Sequence, residues 1–198
     1  MDKDRELHPL VKWQYRGIDE ADRFGFLFER VTDGSGRPVN GRVASSTIAA
    51  NREMYALALG CPLDQVHDRW THALNHPVST RRVASGPVRE EIHKGDSLLE
   101  HGGLMEFGIP IATNGWEAFP RITAAAVITR DPDTGVLNAG MYNSIVLGPT
   151  RANVRTQRHL RLHWHKYRQR GLPMEAAIVI GAVPVVPLVA ATDVPHGL

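Results

Sequence analysis

The chain has 198 residues, room for one good-sized domain or for one domain and part of a second. Apolar residues make up 42% and charged residues 22%, which suits a soluble globular protein and excludes a disordered one. The single cysteine, Cys61, excludes an intrachain disulfide and a Cys-based zinc cluster, while the net charge of +2 hides an asymmetry along the chain.

The opening run MDKDRELHP is charged and has no apolar signal core. The first convincing element is a strand over Phe24 to Val31 (FGFLFERV), stopped by the turn-forming run Asp33-Gly34-Ser35-Gly36. Ser45 or Ser46 then reads as an N-cap for a helix over Thr47 to Leu59, with Gly60 at the position that ends it. A shorter helix is expected around Pro62 to Asn75, and 77–120, rich in Gly, Pro and polar turns, reads as short strands and loops. Near Pro120 the pattern changes. Ile122 to Thr129 and Val136 to Leu147 read as the two strands of a hairpin closed by Asp131-Pro132-Asp133-Thr134-Gly135. A basic helix comes next over Asn153 to Arg170, closed by Gly171, with Leu160, Trp164 and Tyr167 as its apolar stripe. Ala176 to Gly181 reads as a buried strand within a 16-residue apolar run, Ala176 to Ala191, that contains Pro184 and Pro187. That run is shorter than the roughly 20 residues of a spanning helix. It reads as strand material that either pairs with a partner chain or drives self-association. The fold class is therefore α/β (α+β), with residues 1–118 as an α/β domain and 119–198 as a β-rich unit, in a protein expected to be cytoplasmic and to have no membrane partner.

Charge is unevenly spread. From Thr134 to Met174 there is no Asp or Glu, but there are seven basic residues, Arg151, Arg155, Arg158, Arg161, Lys166, Arg168 and Arg170. The rest of the chain carries 16 basic against 21 acidic residues, a net of −5. The basic stretch is either a solvated helix face or a region that attracts a phosphate-bearing cofactor or an acidic substrate; no nucleic-acid motif accompanies it. Asn138 lies in an apolar strand, where a carboxamide needs partners or costs about 1–3 kcal/mol. It is either a satisfied structural residue or a ligand for a metal or cofactor. Gly140, on the same face, permits close approach of a backbone or a flat ligand. Thr123 is placed on the partner strand. His159 and His163, four apart, share a helix face, as in a two-ligand metal site or simply as solvated histidines.

The run Ile128 to Tyr142 (ITRDPDTGVLNAGMY) resembles the hallmark hairpin of the UbiD family, decarboxylases that use prenylated FMN. FGFLFERV, the stretch Ser45 to Gly60, Leu147-Gly148-Pro149-Thr150 and RGLPMEAAIVIG resemble other family segments in the same order, so that the resemblance spans nearly the whole chain. It implies that the β-rich unit is the first part of a flavin-binding split barrel. It also implies that the cofactor's phosphate is held through a divalent metal, Mn2+ or Mg2+, together with K+. By position, Asn138 and His159 would be metal ligands, with His163 as the alternative imidazole, and Thr123, Gly140, Met141, Tyr142 and Gln157 would line the cofactor. The implied reaction is reversible loss of carboxylate from a small aromatic or α,β-unsaturated acid. A flavin prenyltransferase would supply the cofactor, and a homo- or hetero-oligomer would be the working state.

The sequence departs from the family pattern in two places. Asn143 stands where the family has an arginine that contacts the substrate carboxylate, and an amide supplies neither the charge nor the bidentate fork. The family's third metal ligand, a glutamate, and its catalytic carboxylates match no residue up to Leu198, since the only acids after Met174 are Glu175 and Asp193. The resemblance thus implies a shortened carboxy-lyase, either a fragment or one subunit whose missing half a second chain supplies. The alternative is a non-catalytic paralogue that binds flavin or phosphate, or serves assembly.

Overall fold

The computed structural model describes residues 1–193. Its chain opens with a helix, α1 (Leu7–Gly17), for which the sequence raised no expectation. Leu7 and Gln14, two turns apart, are buried, and Pro9 sits in the first turn, where its missing N–H has no helical acceptor to lose. The Gln14 side chain ties the helix to the first strand region by accepting the Phe24 amide at 2.9 Å. Strand β1 (Phe26–Phe28) pairs antiparallel with β2 (Val43–Ser45), in register Leu27 with Ala44. The expected strand over 24–31 is thus cut to three residues. Past its far end, Thr32 bridges to Asp2 and Pro38, the Val31 carbonyl accepts the Val39 amide at 3.1 Å, and the Thr32 carbonyl accepts the Lys3 amide at 2.9 Å. The expected turn forms: the Asp33 carboxylate accepts the Ser35 and Arg37 amides at 2.9 and 3.0 Å.

Helix α2 (Arg52–Leu59) starts later than expected. Ser45 belongs to β2 and Ser46 has φ +59°, so neither caps it. The cap is Asn51, whose Oδ1 accepts the Met54 amide at 3.1 Å while its Nδ2 donates to the Arg23 carbonyl at 2.6 Å, so it anchors the helix as well as starting it. Gly60 ends the helix in the left-handed conformation (φ +62°), as its position suggested. Helix α3 (Val66–Asn75) comes after it, and 77–120 contains a four-residue helix, α4 (Ser97–Glu100), single turns and isolated β-bridges from Phe107 to Asn40 and from Asn114 to Glu117 in place of the expected short strands.

Among the described residues, the rest of the chain forms two three-stranded antiparallel sheets. One has the order β3 (Arg121–Ile122), β6 (Ser144–Gly148), β7 (Arg151–Val154). The other has the order β5 (Leu137–Met141), β4 (Ala126–Arg130), β8 (Ala176–Val179). The single strand expected over Val136 to Leu147 is therefore two, broken at Tyr142 and Asn143, and each half pairs in a different sheet. Likewise the first residues of the expected basic helix form β7, and helix α5 spans Arg158–Gln169. Ala125, Ala126 and Val127 are buried around the start of β4, packed where small side chains let both faces be covered. One core cluster joins Ile109, Ile122, Ala125 and Val146; a second joins Val127, Tyr142 and Leu160; Ile178 packs against both. Gly103, at φ +58°, is required where it stands, because a Cβ there would lie 2.2 Å from the Pro149 carbonyl oxygen.

The end of the apolar run is not strand. Val185–Ala190 forms helix α6, which packs against β5 and β4 and buries Pro187 and Ala190. The prolines decide this: neither can donate to a ladder, yet Pro184 at the N-cap and Pro187 in the first turn lose nothing in a helix. No helix among the described residues is long and apolar enough to cross a membrane.

Candidate functional site

The β4–β5 hairpin and α5 create the site. The hairpin turn is held by the Asp131 amide donating to the Val136 carbonyl (2.8 Å), and the Asp131 carboxylate accepts the Asp133 and Thr134 amides at 2.8 and 3.3 Å. Across the ladder Thr129 faces Asn138 and Val127 faces Gly140. Thr123 is not on this strand, contrary to expectation; it is exposed in the bend between β3 and β4. The physical reason is the short β3, which pairs with β6 and forces the chain to turn before β4 begins.

Asn138, Gly140 and Tyr142 lie at alternate positions and point to one face. Asn138 is half-buried, and its Nδ2 donates to the Tyr142 hydroxyl at 3.5 Å. The same hydroxyl accepts the Leu160 amide at 3.4 Å, in the first turn of α5. Tyr142 is itself buried and packs on Val127 and Leu160. A Cβ at position 140 would meet the Tyr142 ring at 2.5 Å, so the close approach that Gly140 permits is that of this ring. Met141, half-buried, pairs with Ala126 on the opposite face. One phenol thus joins the strand that carries Asn138 to the helix start that carries His159.

Helix α5 begins at Gln157, whose exposed side chain makes no capping bond, and continues through Arg158, at φ +51°, to the half-buried His159. His159 lines a cleft of about 480 Å³ together with Arg158, Arg161, Leu162, His165 and Asp193. His163 takes a different part. It is fully buried, shares a 2.9 Å hydrogen bond with Thr129 Oγ1 through Nδ1, and places Nε2 3.8 Å from the Asp131 carboxylate. The pairing of His159 and His163 on one ligand-bearing face is therefore overturned, because His163 is sealed between helix and hairpin. Lys166 donates to Asp131 at 2.6 Å and lies 3.0 Å from Asp133, which also pairs with Arg170. The Lys166 ammonium, helped by the two turn amides, holds the Asp131 carboxyl down at about 2 against the opposing effect of burial. Asp133 is lowered chiefly by Lys166, and Lys166 is raised by both carboxylates. Part of the basic run is thus spent on clamping α5 to the hairpin turn. The sequence carried one signal of it that went unused: Asp131 and Asp133 are the last acids before the acid-free stretch.

Asn143 is exposed in the break between β5 and β6, and its carbonyl accepts the Arg155 amide at 3.1 Å. Among the described residues no group of three or more His, Cys, Asp or Glu side chains could hold a metal ion. An amide oxygen and an imidazole can still be two ligands of a divalent ion whose other positions are filled by phosphate oxygens or water, so the donor set at Asn138 and His159 fits such an ion in part.

Comparison with known proteins agrees with this architecture. Residues 81–198 match the family model described as UbiD, the 3-octaprenyl-4-hydroxybenzoate carboxy-lyase Rift-related domain. The anhydromevalonate phosphate decarboxylase of Methanothermobacter thermautotrophicus is 32% identical over 152 residues, covering 76% of this chain and 34% of that protein. The phenolic acid decarboxylase of Escherichia coli O157:H7 is 27% identical over 169 residues, covering 78% of this chain and 34% of that protein. The UbiD-class enzyme HmfF of Pelotomaculum thermopropionicum, solved in complex with FMN, superposes with a TM-score of 0.82 at 32% identity over 100% of this chain and 41% of its own. An evolved dimeric form of HmfF, solved in complex with prFMN, superposes equally well. The chain spans about a third of the length of the curated relatives it matches. With the family model covering more than half of its residues, the chain belongs to the UbiD family.

Proposed function

We propose that this chain provides the flavin-holding part of a carboxy-lyase that reversibly decarboxylates a small aromatic or α,β-unsaturated acid with prenylated FMN. Residues 119–198 would be the cofactor-binding part, and the remaining catalytic groups would come from sequence beyond these residues or from a second chain. The observation that carries the reading is the Tyr142 hydroxyl, which ties Asn138 on β5 to the start of α5 beside His159. The Asn138 amide and the His159 imidazole, on the two elements so joined, would meet at the cofactor's phosphate in a fold whose neighbours were solved with FMN or prFMN. When bound, the modified flavin supplies the electron sink that decarboxylation requires.

The chain's own residues would act around it. Asn138 and His159 would hold Mn2+ or Mg2+, with K+ nearby, against the cofactor's phosphate. Gly140, Met141 and Tyr142 would back that end of the pocket from the strand, and Gln157 would face it from the helix cap. Thr123 would approach it from the bend before β4. Asn143 supplies no charge for a substrate carboxylate, and its backbone carbonyl is taken by the Arg155 amide.

The test is purification after co-expression with a flavin prenyltransferase. The expected result is co-purifying flavin with the absorbance of the modified cofactor, lost in Asn138→Ala and His159→Ala. Carbon dioxide release from a panel of aromatic and unsaturated acids then separates a lyase from a cofactor-binding paralogue. Failure to retain any flavin, with or without added Mn2+, would overturn the reading.

A further inference from the structure

Burial splits His159 from His163, but a second pair of histidines four residues apart stays together. His72 lies in the last turn of α3 and His76 caps its end. Both are exposed, on the side away from the half-buried Val66 and Trp70, which line a cleft against Leu188. Their ring centres are 4.2 Å apart and their planes lie within 18° of parallel. The His76 Nδ1 sits 2.9 Å from the His72 carbonyl oxygen. A carbonyl only accepts, so Nδ1 carries the proton and the neutral ring keeps its lone pair on Nε2. A backbone carbonyl that fixes the tautomer in this way is the usual orienting partner of a metal-ligating imidazole.

We propose that His72 and His76 form a binding site for a late divalent transition ion, Zn2+, Ni2+ or Cu2+, coordinated by one nitrogen of each ring. Two histidines one helical turn apart can put both nitrogens on one ion. The rings already touch, and the torsion that turns an imidazole about its stem is soft, so a modest rotation aims both lone pairs at one point. Among the described residues no group of three or more His, Cys, Asp or Glu side chains could hold a metal ion, so water fills the remaining positions. Three further features bear on the charge. The site lies at the C-terminal end of a helix, where the macrodipole favours a cation. Asp68, exposed one turn before His72, adds a negative charge on the same face. Arg69 adds a positive one, but it is exposed and solvent screens it, which does not weaken a coordinate bond. Imidazole nitrogen suits Zn2+, Ni2+ and Cu2+, whereas Mg2+ and Mn2+ prefer oxygen. The site is thus chemically distinct from the Asn138 and His159 end and does not depend on the carboxy-lyase reading. An ion there would tie residue 76 to the turn before it, where the chain leaves α3 for the irregular 77–120 stretch.

The experiment is calorimetric titration of the tag-free full chain with Ni2+ and Zn2+, together with the electron paramagnetic resonance spectrum of the chain with one equivalent of Cu2+. The expected result is one tightest equivalent of Ni2+, weakened about tenfold or more in His72→Ala and in His76→Ala, as loss of a ligand implies. The Cu2+ spectrum should show splitting by nitrogen that each of these changes simplifies, and excess Mn2+ should not displace Ni2+. Both side chains are exposed, and circular dichroism checks that each variant is folded. His93 and His101, whose ring centres are 4.1 Å apart, are the competing pair, so His101→Ala should bind Ni2+ as the wild type does. His159→Ala should do the same. Absence of saturable binding up to on the order of 1 mM Ni2+ overturns the proposal. So does unchanged affinity in both His72→Ala and His76→Ala, or a loss confined to His101→Ala or His159→Ala. Flavin retention, which tests the carboxy-lyase reading, stands apart from every one of these outcomes.

Discussion

Tyr142 is the residue on which the site turns, and it shows how a buried hydroxyl can act as a joint. Its oxygen serves two donors on different elements, Asn138 Nδ2 and the Leu160 amide. Tyr142→Phe keeps the ring and strands both donors, and should cost about 1–2 kcal/mol in denaturant unfolding. It should also weaken flavin retention, because Asn138 loses the contact that orients it. A variant that melts like the wild type and holds flavin equally well would show that the phenol is no joint. Gly140→Ala tests the same joint from below. With a Cβ 2.5 Å from the ring, something must move, and overpacking of this kind typically costs about 1–3 kcal/mol. Because the two positions touch, Gly140→Ala combined with Tyr142→Leu should cost less than the sum of the single changes. Asn143→Arg is the complementary experiment. It places a guanidinium at the break between β5 and β6 but supplies no proton-transferring carboxylate, so carbon dioxide release should stay at the wild-type level.

At the scale of elements, α5 is latched to the hairpin turn by Asp131, Asp133, His163, Lys166 and Arg170, and the latch has a defined pH range. The Asp131 carboxyl sits at about 2 in the folded chain, below the ordinary 3.8, so its contribution is complete above the ordinary value and is lost as pH falls from about 4 through 2. Lys166 is raised, so its contribution is complete below its ordinary 10.5 and fades as pH climbs through the higher folded value. Fluorescence of Trp164, which is on this helix, should therefore report an acid-side loosening, and Asp131→Asn should lower stability at neutral pH while flattening that acid dependence. An unchanged acid limb in Asp131→Asn would mean that other carboxylates set it. The latch also separates what was legible in the sequence from what was not. The turn chemistry of Asp131 to Gly135 and the end of α2 at Gly60 are local, and the residues state them. The break at Tyr142 and Asn143, and the assignment of Arg151–Val154 to β7 rather than to the helix, depend on which strand lies alongside, and no local period carries that. At the Asn138 end the residue types were legible, but the joining phenol and the burial of His163 arise from packing between α5 and the sheet. Pro184 and Pro187 did mark the helix α6, but only when their missing donors are set against a ladder rather than read as interruptions of a strand.

The molecule as a whole leaves a good deal of apolar and strand-edge surface open. Each sheet has three strands, so β5 and β8 are edges of one and β3 and β7 are edges of the other. Over the long irregular stretch, Val78 is 90% exposed, Val88 85% and Trp116 90%, well beyond what isolated surface apolar residues need. Covering side chains of this size is worth about 1.5–3 kcal/mol each, so several of them together can sustain an association. The expectation from the sequence placed the sticky element in Ala176 to Ala191; α6 packs on β4 and β5, yet Ile180, Val183 and Val189 stay exposed in that run, and the 77–120 stretch adds further open apolar surface. Light scattering at micromolar concentration should therefore give a mass above the 21.9 kDa of one chain. Replacing Val78, Val88 and Trp116 together by Ser, Ser and Gln should return it toward the monomer without lowering the melting temperature, since none of the three contributes to the core. A monomer in the unaltered chain, or an oligomer that survives the triple change, would show that these side chains are not what holds copies together.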